Sequence, residues 1–311
     1  MEKLVIAFGG NALLRNGDVP SFESQYSRSV DAFNGIWEIL EDNRVVITHG
    51  NGPQVGNILL QNEFSRSITP SMPLHGCGAM SMGFIGHIMS LAYDNVRLQR
   101  GFSREPIVII TRTLVSEDDP AFLNPSKPIG PFYTKQEADT FVQDRNWSMK
   151  EDSGRGWRRL VPSPAPMDIM ERNSIIRLLA DGFQPIAVGG GGIPIVRRKG
   201  KFIGVDAVID KDLASSLLAT IIEADRFMIL TDVPYAYTHY GTKDQEKIGK
   251  ISLDELQRLY DMGYFASGSM GPKIKAAMEF VRKGGKKSII TSIENSGKAF
   301  HDHSGTIIAP P

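Results

Sequence analysis

The sequence predicts an α/β protein built on a largely parallel sheet with helices on both faces. Three observations predict it. Short continuous apolar runs such as LVIAF (4–8) read as strands buried on both sides. These runs alternate with longer segments whose apolar residues recur at helical spacing. Three of the runs break directly into glycine clusters, the pattern of a parallel sheet whose strand ends bind a ligand.

Residues 4–8 are the first predicted strand. Residues 24–42 are predicted to be helical, because Tyr26, Val30, Phe33, Trp37 and Leu40 step by four, three, four and three onto one face. A second strand, 44–48, runs into His49-Gly50-Asn51-Gly52-Pro53 and completes a βαβ unit. Residues 107–110 read as a strand, and 168–180 as a helix opened by Asp168 and Glu171 at capping-box spacing. Residues 185–188 are a strand ending in the glycines at 189–192, and 196–204 a hairpin turning near Lys199-Gly200. A helix at 212–224 precedes a strand at 227–230 that ends at Thr231-Asp232. Ser252 and Glu255 open a helix reaching about Met262, and Pro272 sits in the first turn of a helix over 272–282. Residues 288–291 and 306–309 close the series as strands.

One section breaks the rhythm. Residues 118–166 carry prolines at 120, 125, 128, 131, 162, 164 and 166 around the polar, basic stretch KEDSGRGWRRL, and read as an inserted subdomain or lid.

Composition excludes several classes. Lys plus Arg and Asp plus Glu both number 35, so the chain lacks the basic bias of a dedicated nucleic-acid binder. The single cysteine, Cys77, rules out an intrachain disulfide and a cysteine-rich zinc site, and fits a reducing cytosol. The apolar stretch near Met1 is too short for a signal peptide, and no run approaches the ~18 apolar residues of a membrane span. The expected setting is cytoplasmic.

Four glycine-rich loops stand out: Gly9-Gly10-Asn11, 49–56, 189–192 and 268–271. Glycines there make tight turns, or they let backbone N–H groups approach a phosphate with no Cβ in the way. The Walker lysine motif is absent, Gly50, Gly52 and Gly56 miss the dinucleotide spacing by one residue, and neither H-E-x-x-H nor G-x-S-x-G occurs. His301-x-His303 reads as a solvated tail.

Phosphoryl transfer needs positive charge over the moving group and alignment of donor with acceptor. Three lysines occupy constrained positions. Lys211 lies between Asp210 and Asp212 at a predicted strand-to-helix junction, where the acids could hold the ammonium or help place a metal. Lys273 follows Ser269-Met270-Gly271-Pro272 in a glycine-rich nest that opens a helix and favours an anion. Lys127 lies in the proline-stiffened KPIGPFY. The alternative reading of each is a surface lysine, which weighs most for Lys127 and least for Lys273. Asp232, ending an apolar strand, is a loop cap or a nucleotide neighbour. Tyr235 and Tyr237 either border a base or pack in the core.

Together these segments resemble the carbamate kinases of the amino-acid kinase superfamily. The likeness covers essentially the whole chain. It is carried by GGNAL (9–13), ITHGNGPQVG (47–56), KPIGPFY (127–133), KEDSGRGWRRLVPSP (150–164), GGGGIPI (189–195), DAVIDKDLA (206–214), ILTDV (229–233) and GSMGPK (268–273), in the family's order. The resemblance implies an open αβα sandwich around a mainly parallel, roughly eight-stranded sheet, with the insert as a lid-like subdomain. It implies an N-terminal lobe, 1–207, for the acceptor and a C-terminal lobe, 208–311, for the nucleotide. It further implies a homodimer and reversible transfer from ATP, with Mg²⁺, to carbamate, giving ADP and carbamoyl phosphate.

Carried over residue by residue, Gly9, Gly10, Asn11, Asn51, Gly52 and Lys127 would surround the acceptor and the moving phosphoryl. Lys211 and Lys273 would neutralise it from the nucleotide side, with Asp212 holding them in place. Asp232, Tyr237, Met270 and Gly271 would lie toward the nucleotide. Superfamily relatives acting on carboxylates commonly carry a lysine in the first loop; Asn11 lies in that region here, which fits a transfer of the role to Lys127. Alternatives are a kinase for another small acceptor, a non-catalytic nucleotide sensor, and an oxidoreductase weakened by the missing fingerprint.

Overall fold

The computed structural model describes residues 1–9, 13, 19–152, 154–266 and 269–310. Strand β1 (Lys3–Phe8) leads to helices α1 (Phe22–Gly35) and α2 (Trp37–Asp42), then β2 (Arg44–His49). The single helix expected over 24–42 is thus two. It breaks at Ile36, next to Gly35, which approaches Ile293 so closely that a Cβ there would lie 2.7 Å from the isoleucine side chain. Phe33, Trp37 and Leu40 still enter one core, with Tyr26 and Val30 packed at its margin.

Helices α3 (Gly52–Ser65) and α4 (Leu74–Gln99) follow, and sequence periodicity had not marked either. The start of α3 is hidden in a glycine-rich stretch. The 26-residue α4 buries apolar side chains along its length and also exposes several, so no clean polar stripe marks it. Next come β3 (Pro106–Val108), β4 (Arg112–Val115), β5 (Lys127–Tyr133), α5 (Lys135–Arg145), β6 (Ser148–Glu151), β7 (Trp157–Val161) and β8 (Pro166–Ile169). The chain continues through α6 (Arg172–Ala180), β9 (Gln184–Ile186), β10 (Ile193–Arg198), β11 (Lys201–Gly204), α7 (Lys211–Ile221) and β12 (Arg226–Thr231). It ends with β13 (Ala236–Thr238), β14 (Glu246–Ile248), β15 (Lys250–Ser252), α8 (Leu253–Asp261), α9 (Met270–Arg282), β16 (Lys287–Ser292), α10 (Ser296–Phe300) and β17 (Thr306–Ala309).

Eight strands form the main sheet in the order β15-β17-β16-β12-β1-β2-β9-β3, and every neighbouring pair is parallel except β16 with β17. The alternation of β1 shows why both faces are covered. Val5 and Ala7 enter the core on the side of α7 and α9, while Leu4, Ile6 and Phe8 enter the core on the side of α1, α2 and α4. All five are fully buried, and each large side chain among them contributes about 1.5–3 kcal/mol.

A second sheet, β11-β10-β4-β8, flanks the first, and the predicted hairpin is its β10–β11 arm. Its turn residues Lys199 and Gly200 both take positive φ, 49° and 77°, as a tight two-residue hairpin turn requires. The insert forms its own sheet, β5-β7-β6, with α5 opened by a Thr134–Glu137 capping box. It lies directly on α3: a Cβ on Gly56 would fall 2.1 Å from the Gly130 Cα, so only glycine permits the contact. Arg145 of α5 pairs with Glu63 of α3 alongside.

Four local expectations change. The helix expected over 168–180 begins at Arg172, because Asp168 belongs to β8 and its carboxylate is taken by the Ile169 N–H and Arg172. Glu171 is held by the Arg112 N–H and Nε, both at 2.7 Å, so no capping box forms. The strand expected over 107–110 is β3, ending at Val108, and the one over 185–188 is β9, ending at Ile186. No strand precedes Lys211; residues 207–210 are an irregular segment leading into α7.

Among the described residues, no helix is long and apolar enough to cross a membrane.

Candidate active site

The parallel register sets the strand ends side by side. Phe8 is level with His49 of β2 and Leu230 of β12, so the loops after three adjacent strands open on one edge. Gly50 donates its N–H to the Phe8 carbonyl (3.1 Å), and Gly9 donates to the Leu230 carbonyl (2.9 Å).

After β9 the chain reverses through Val188, a β-branched residue held left-handed at φ 53°, and then Gly190, Gly191 and Gly192 at 61°, 87° and 86°. Thr111 Oγ1 accepts from the Val188 N–H (3.0 Å). This turn is wedged between two parts of the site. A Cβ on Gly190 would lie 2.2 Å from the Asn51 amide, and one on Gly191 would lie 2.7 Å from the Ile209 carbonyl. Beneath it, the His49 ring is buried and hydrogen-bonded through Nδ1 to the Gly50 carbonyl (2.9 Å). Burial, with Lys211 nearby, lowers its pKa to about 4, so it is neutral at pH 7.

A cleft of about 190 Å³ lies above this turn. Its walls carry Asn51, Gly52, Lys127, Lys211, Asp212 and Lys273. Asp212 is the hub. Its carboxylate is almost fully buried, with Oδ1 paired to Lys211 and Oδ2 3.2 Å from Lys273 Nζ. Asp210 sits one residue before Lys211. Its Oδ1 caps α7 by accepting from the N–H groups of Asp212 (2.9 Å) and Leu213 (3.3 Å), and its Oδ2 pairs with Lys127 Nζ (2.9 Å). The N-termini of α3 and α7 begin on this cleft at Gly52 and Lys211, and that of α9 borders it through Ser269, Pro272 and Lys273, so positive dipole ends add to three ammonium groups. A buried hydroxyl chain fixes the backbone beneath. Ser215 Oγ donates to the Lys211 carbonyl (2.6 Å) and bonds Thr48 Oγ1 of β2 (2.6 Å).

Charge and burial compete here. Burial pushes the Asp212 carboxyl up, but Lys211 and Lys273 hold it below the ordinary carboxylate range. Burial likewise pushes Asp210 up, and Lys127, Lys211 and Lys273 together hold it down. Both carboxylates stay ionised. The lysines on Asp212 move apart. For Lys211, burial outweighs the carboxylate and the pKa falls, with the neighbouring ammonium of Lys273 adding to the fall. For Lys273, burial also pulls down, but Asp212 wins and the pKa rises.

The small cleft shares Ser269 and Lys273 with a larger one of about 430 Å³. That second cleft is lined by Asp232, Tyr237, Tyr240, Tyr264 and Met270, with Gly9 at its floor. Tyr237 packs against Tyr235 and Tyr240, with ring centroids 6.3 and 5.9 Å apart, so the cleft is lined by aromatic rings together with an acidic side chain and the start of α9.

Most of the residues singled out in the sequence therefore meet. Lys127, Lys211, Asp212, Lys273, Asn51 and Gly52 line the small cleft; Asp232, Tyr237, Met270 and again Lys273 line the larger one. Gly10 and Asn11 lie outside the described residues. Gly9 borders the larger cleft, and its N–H is already committed to Leu230. Gly271 is buried in the first turn of α9, with its N–H bonded to the Ala266 carbonyl (2.9 Å). Asn51 donates Nδ2 to Ser81 Oγ (2.8 Å), a partner thirty residues away that no motif announces. Sequence reasoning also passed over Tyr240, Tyr264 and the Thr48–Ser215 chain. Tyr240, three residues beyond Tyr237, continues the aromatic run already flagged and was open to detection.

The amino acid kinase family model matches residues 2–292. The carbamate kinase of Thermoplasma volcanium is 49% identical over 310 residues, spanning 100% of both chains. The structure of carbamate kinase from Giardia lamblia bound to AMP-PNP superposes with a TM-score of 0.93 at 46% identity, covering 100% of this chain and 99% of that one. The same Giardia enzyme bound to citric acid gives 0.94 at 44% identity, with the same coverage. The chain belongs to the amino acid kinase family and, within it, to the carbamate kinases.

Proposed function

We propose that this chain moves a phosphoryl group reversibly between ATP and carbamate, with the small cleft holding the acceptor and the larger one the nucleotide. One observation carries the assignment: the ammonium groups of Lys127, Lys211 and Lys273 line a single small cleft that opens, at Lys273, into an aromatic-walled one. In the direction of ATP formation, the bond between phosphorus and the carbamate oxygen breaks, and a terminal phosphate oxygen of ADP bonds phosphorus. The lysines keep their protons throughout and offset the charge on the moving group. Residues 1–207 would supply most of the acceptor side, with the insert closing over it, and 208–311 the nucleotide side.

The donor set bears on magnesium. Among the described residues, no group of three or more His, Cys, Asp and Glu could hold a metal ion, and Asp210 and Asp212 are engaged by lysines. This fits a magnesium ion carried in on the nucleotide phosphates. When bound, it would offset phosphate charge. A lone, buried Cys77 fits a reducing cytoplasm.

The test is ATP formation from ADP, Mg²⁺ and carbamoyl phosphate, with acetyl phosphate as the control donor. Carbamoyl phosphate is expected to be strongly preferred, and chelation by EDTA should abolish turnover until Mg²⁺ is restored. Nucleotide binding with no turnover of carbamoyl phosphate would overturn the proposal.

A homodimer is part of the same proposal. On α4, Met80, Phe84, Leu91 and Leu98 are 50%, 38%, 38% and 68% exposed and, with His87, step along one face at coiled-coil-like spacing. Such a stripe suits a self-complementary two-fold contact. Phe84→Glu should convert a dimer to monomer in light scattering. A wild-type chain that is already monomeric at micromolar concentration would sink the idea.

A further inference from the structure

We propose that Asp210 is a positioning residue that aims the Lys127 ammonium at the small cleft. Its two oxygens do two jobs. Oδ1 caps α7, the helix that begins with Lys211, while Oδ2 holds Lys127 Nζ at 2.9 Å. The Ile209 carbonyl accepts a second bond from the same ammonium (3.4 Å). An ammonium has three donors, so one remains for a ligand. Lys127 is carried on β5 of the insert, whereas Lys211 begins α7 and Lys273 lies in the first turn of α9 in the main fold. A single carboxylate thus ties the insert's cation to the helix that carries Lys211. Lysine is a point charge on a flexible stem, and without such a tether its charge spreads over many rotamers. Because Asp210 stays ionised among three lysines, the tether is charge-assisted. Asp212 makes no bond to Lys127; it serves Lys211 and Lys273.

The inference rests on the phosphoryl-transfer proposal, and the experiment separates the two. Asp210→Asn keeps an equally good helix cap but removes the charge that holds Lys127. Steady-state kinetics of ATP formation would be compared for wild type, D210N, K127A and the double variant. D210N is expected to lower kcat by about tenfold to a hundredfold through misplacement of the ammonium, with the KM for ADP unchanged. The double variant should be no slower than K127A alone, because the tether has nothing left to aim. Losses that multiply would overturn the assignment, as would wild-type turnover in D210N. A raised Mg²⁺ requirement in D210N would make Asp210 a metal neighbour and also overturn it. If D210N does not fold, D210E keeps the charge and, on this proposal, its defect too must vanish in the K127A background. Absence of turnover in the wild type would defeat the phosphoryl-transfer reading; multiplying losses with an active wild type would defeat only the role of Asp210.

Discussion

Lys211→Ala is expected to lower kcat for ATP formation by about 10²–10³, equivalent to roughly 3–4 kcal/mol of transition-state stabilisation. The KM for ADP should change little. Lys211 begins α7 on the small cleft, and its ammonium is held on Asp212 with a side chain only 12% exposed. Charge fixed in so dry a place costs no reorganisation when the phosphoryl group moves. The same burial lowers its pKa, with Asp212 restoring part of the loss. A lowered pKa means that the charged form persists below it and disappears as pH rises through it. The wild-type rate should therefore fall on an alkaline limb. Lys211→Arg keeps its charge to higher pH, so it should move that limb upward at reduced rate. An alanine variant with near-normal turnover would remove Lys211 from the mechanism, and an unmoved limb in the arginine variant would assign the limb to another group.

Asp212→Ala should be the most destabilising single change in the site. Two lysines, 12% and 16% exposed, would lose their shared carboxylate. Removing one partner of a buried pair costs about 3–5 kcal/mol, because the remaining charge stays desolvated. Turnover should collapse along with stability, since both ammonium groups lose their anchor. The folded-state pKa of Asp212 lies below its ordinary 3.8, so its contribution is present above the unfolded value and is lost as pH falls through the folded one. Asp212→Asn should accordingly flatten the acid limb of the melting-temperature profile. An unchanged melting temperature in the alanine variant would mean that the hub carries no net stability.

Particular residues show how far the sequence reached. LVIAF, VVI (45–47) and FMIL are apolar without alternation, the mark of strands covered on both faces. The stretch from Tyr26 to Leu40 announced a helical face, but not the break at Ile36, which lies where Gly35 packs against Ile293 from far along the chain. Asp168 and Glu171 had the spacing of a capping box, yet each found a better partner in Arg172 and Arg112 once β8 paired with β4. Helix α4 escaped because burying apolar residues along its length while exposing others erases the signal that periodicity offers.

The candidate site divides in the same way. The sequence by itself marked the candidate groups for the chemistry: glycine loops at strand ends and three lysines in constrained settings, with an acid on either side of one of them. It did so because tight turns, strand burial and helix starts are local properties of a few consecutive residues. Only the tertiary structure decided that the insert's lysine is served by Asp210. Lys127 reaches Asp210 across 83 residues, and Lys273 joins the adjacent Lys211 on Asp212 across 61, only when the insert settles on α3 and α9 packs beside α7. Pairing over such separations is set by how the layers stack, a long-range outcome that no window of sequence contains.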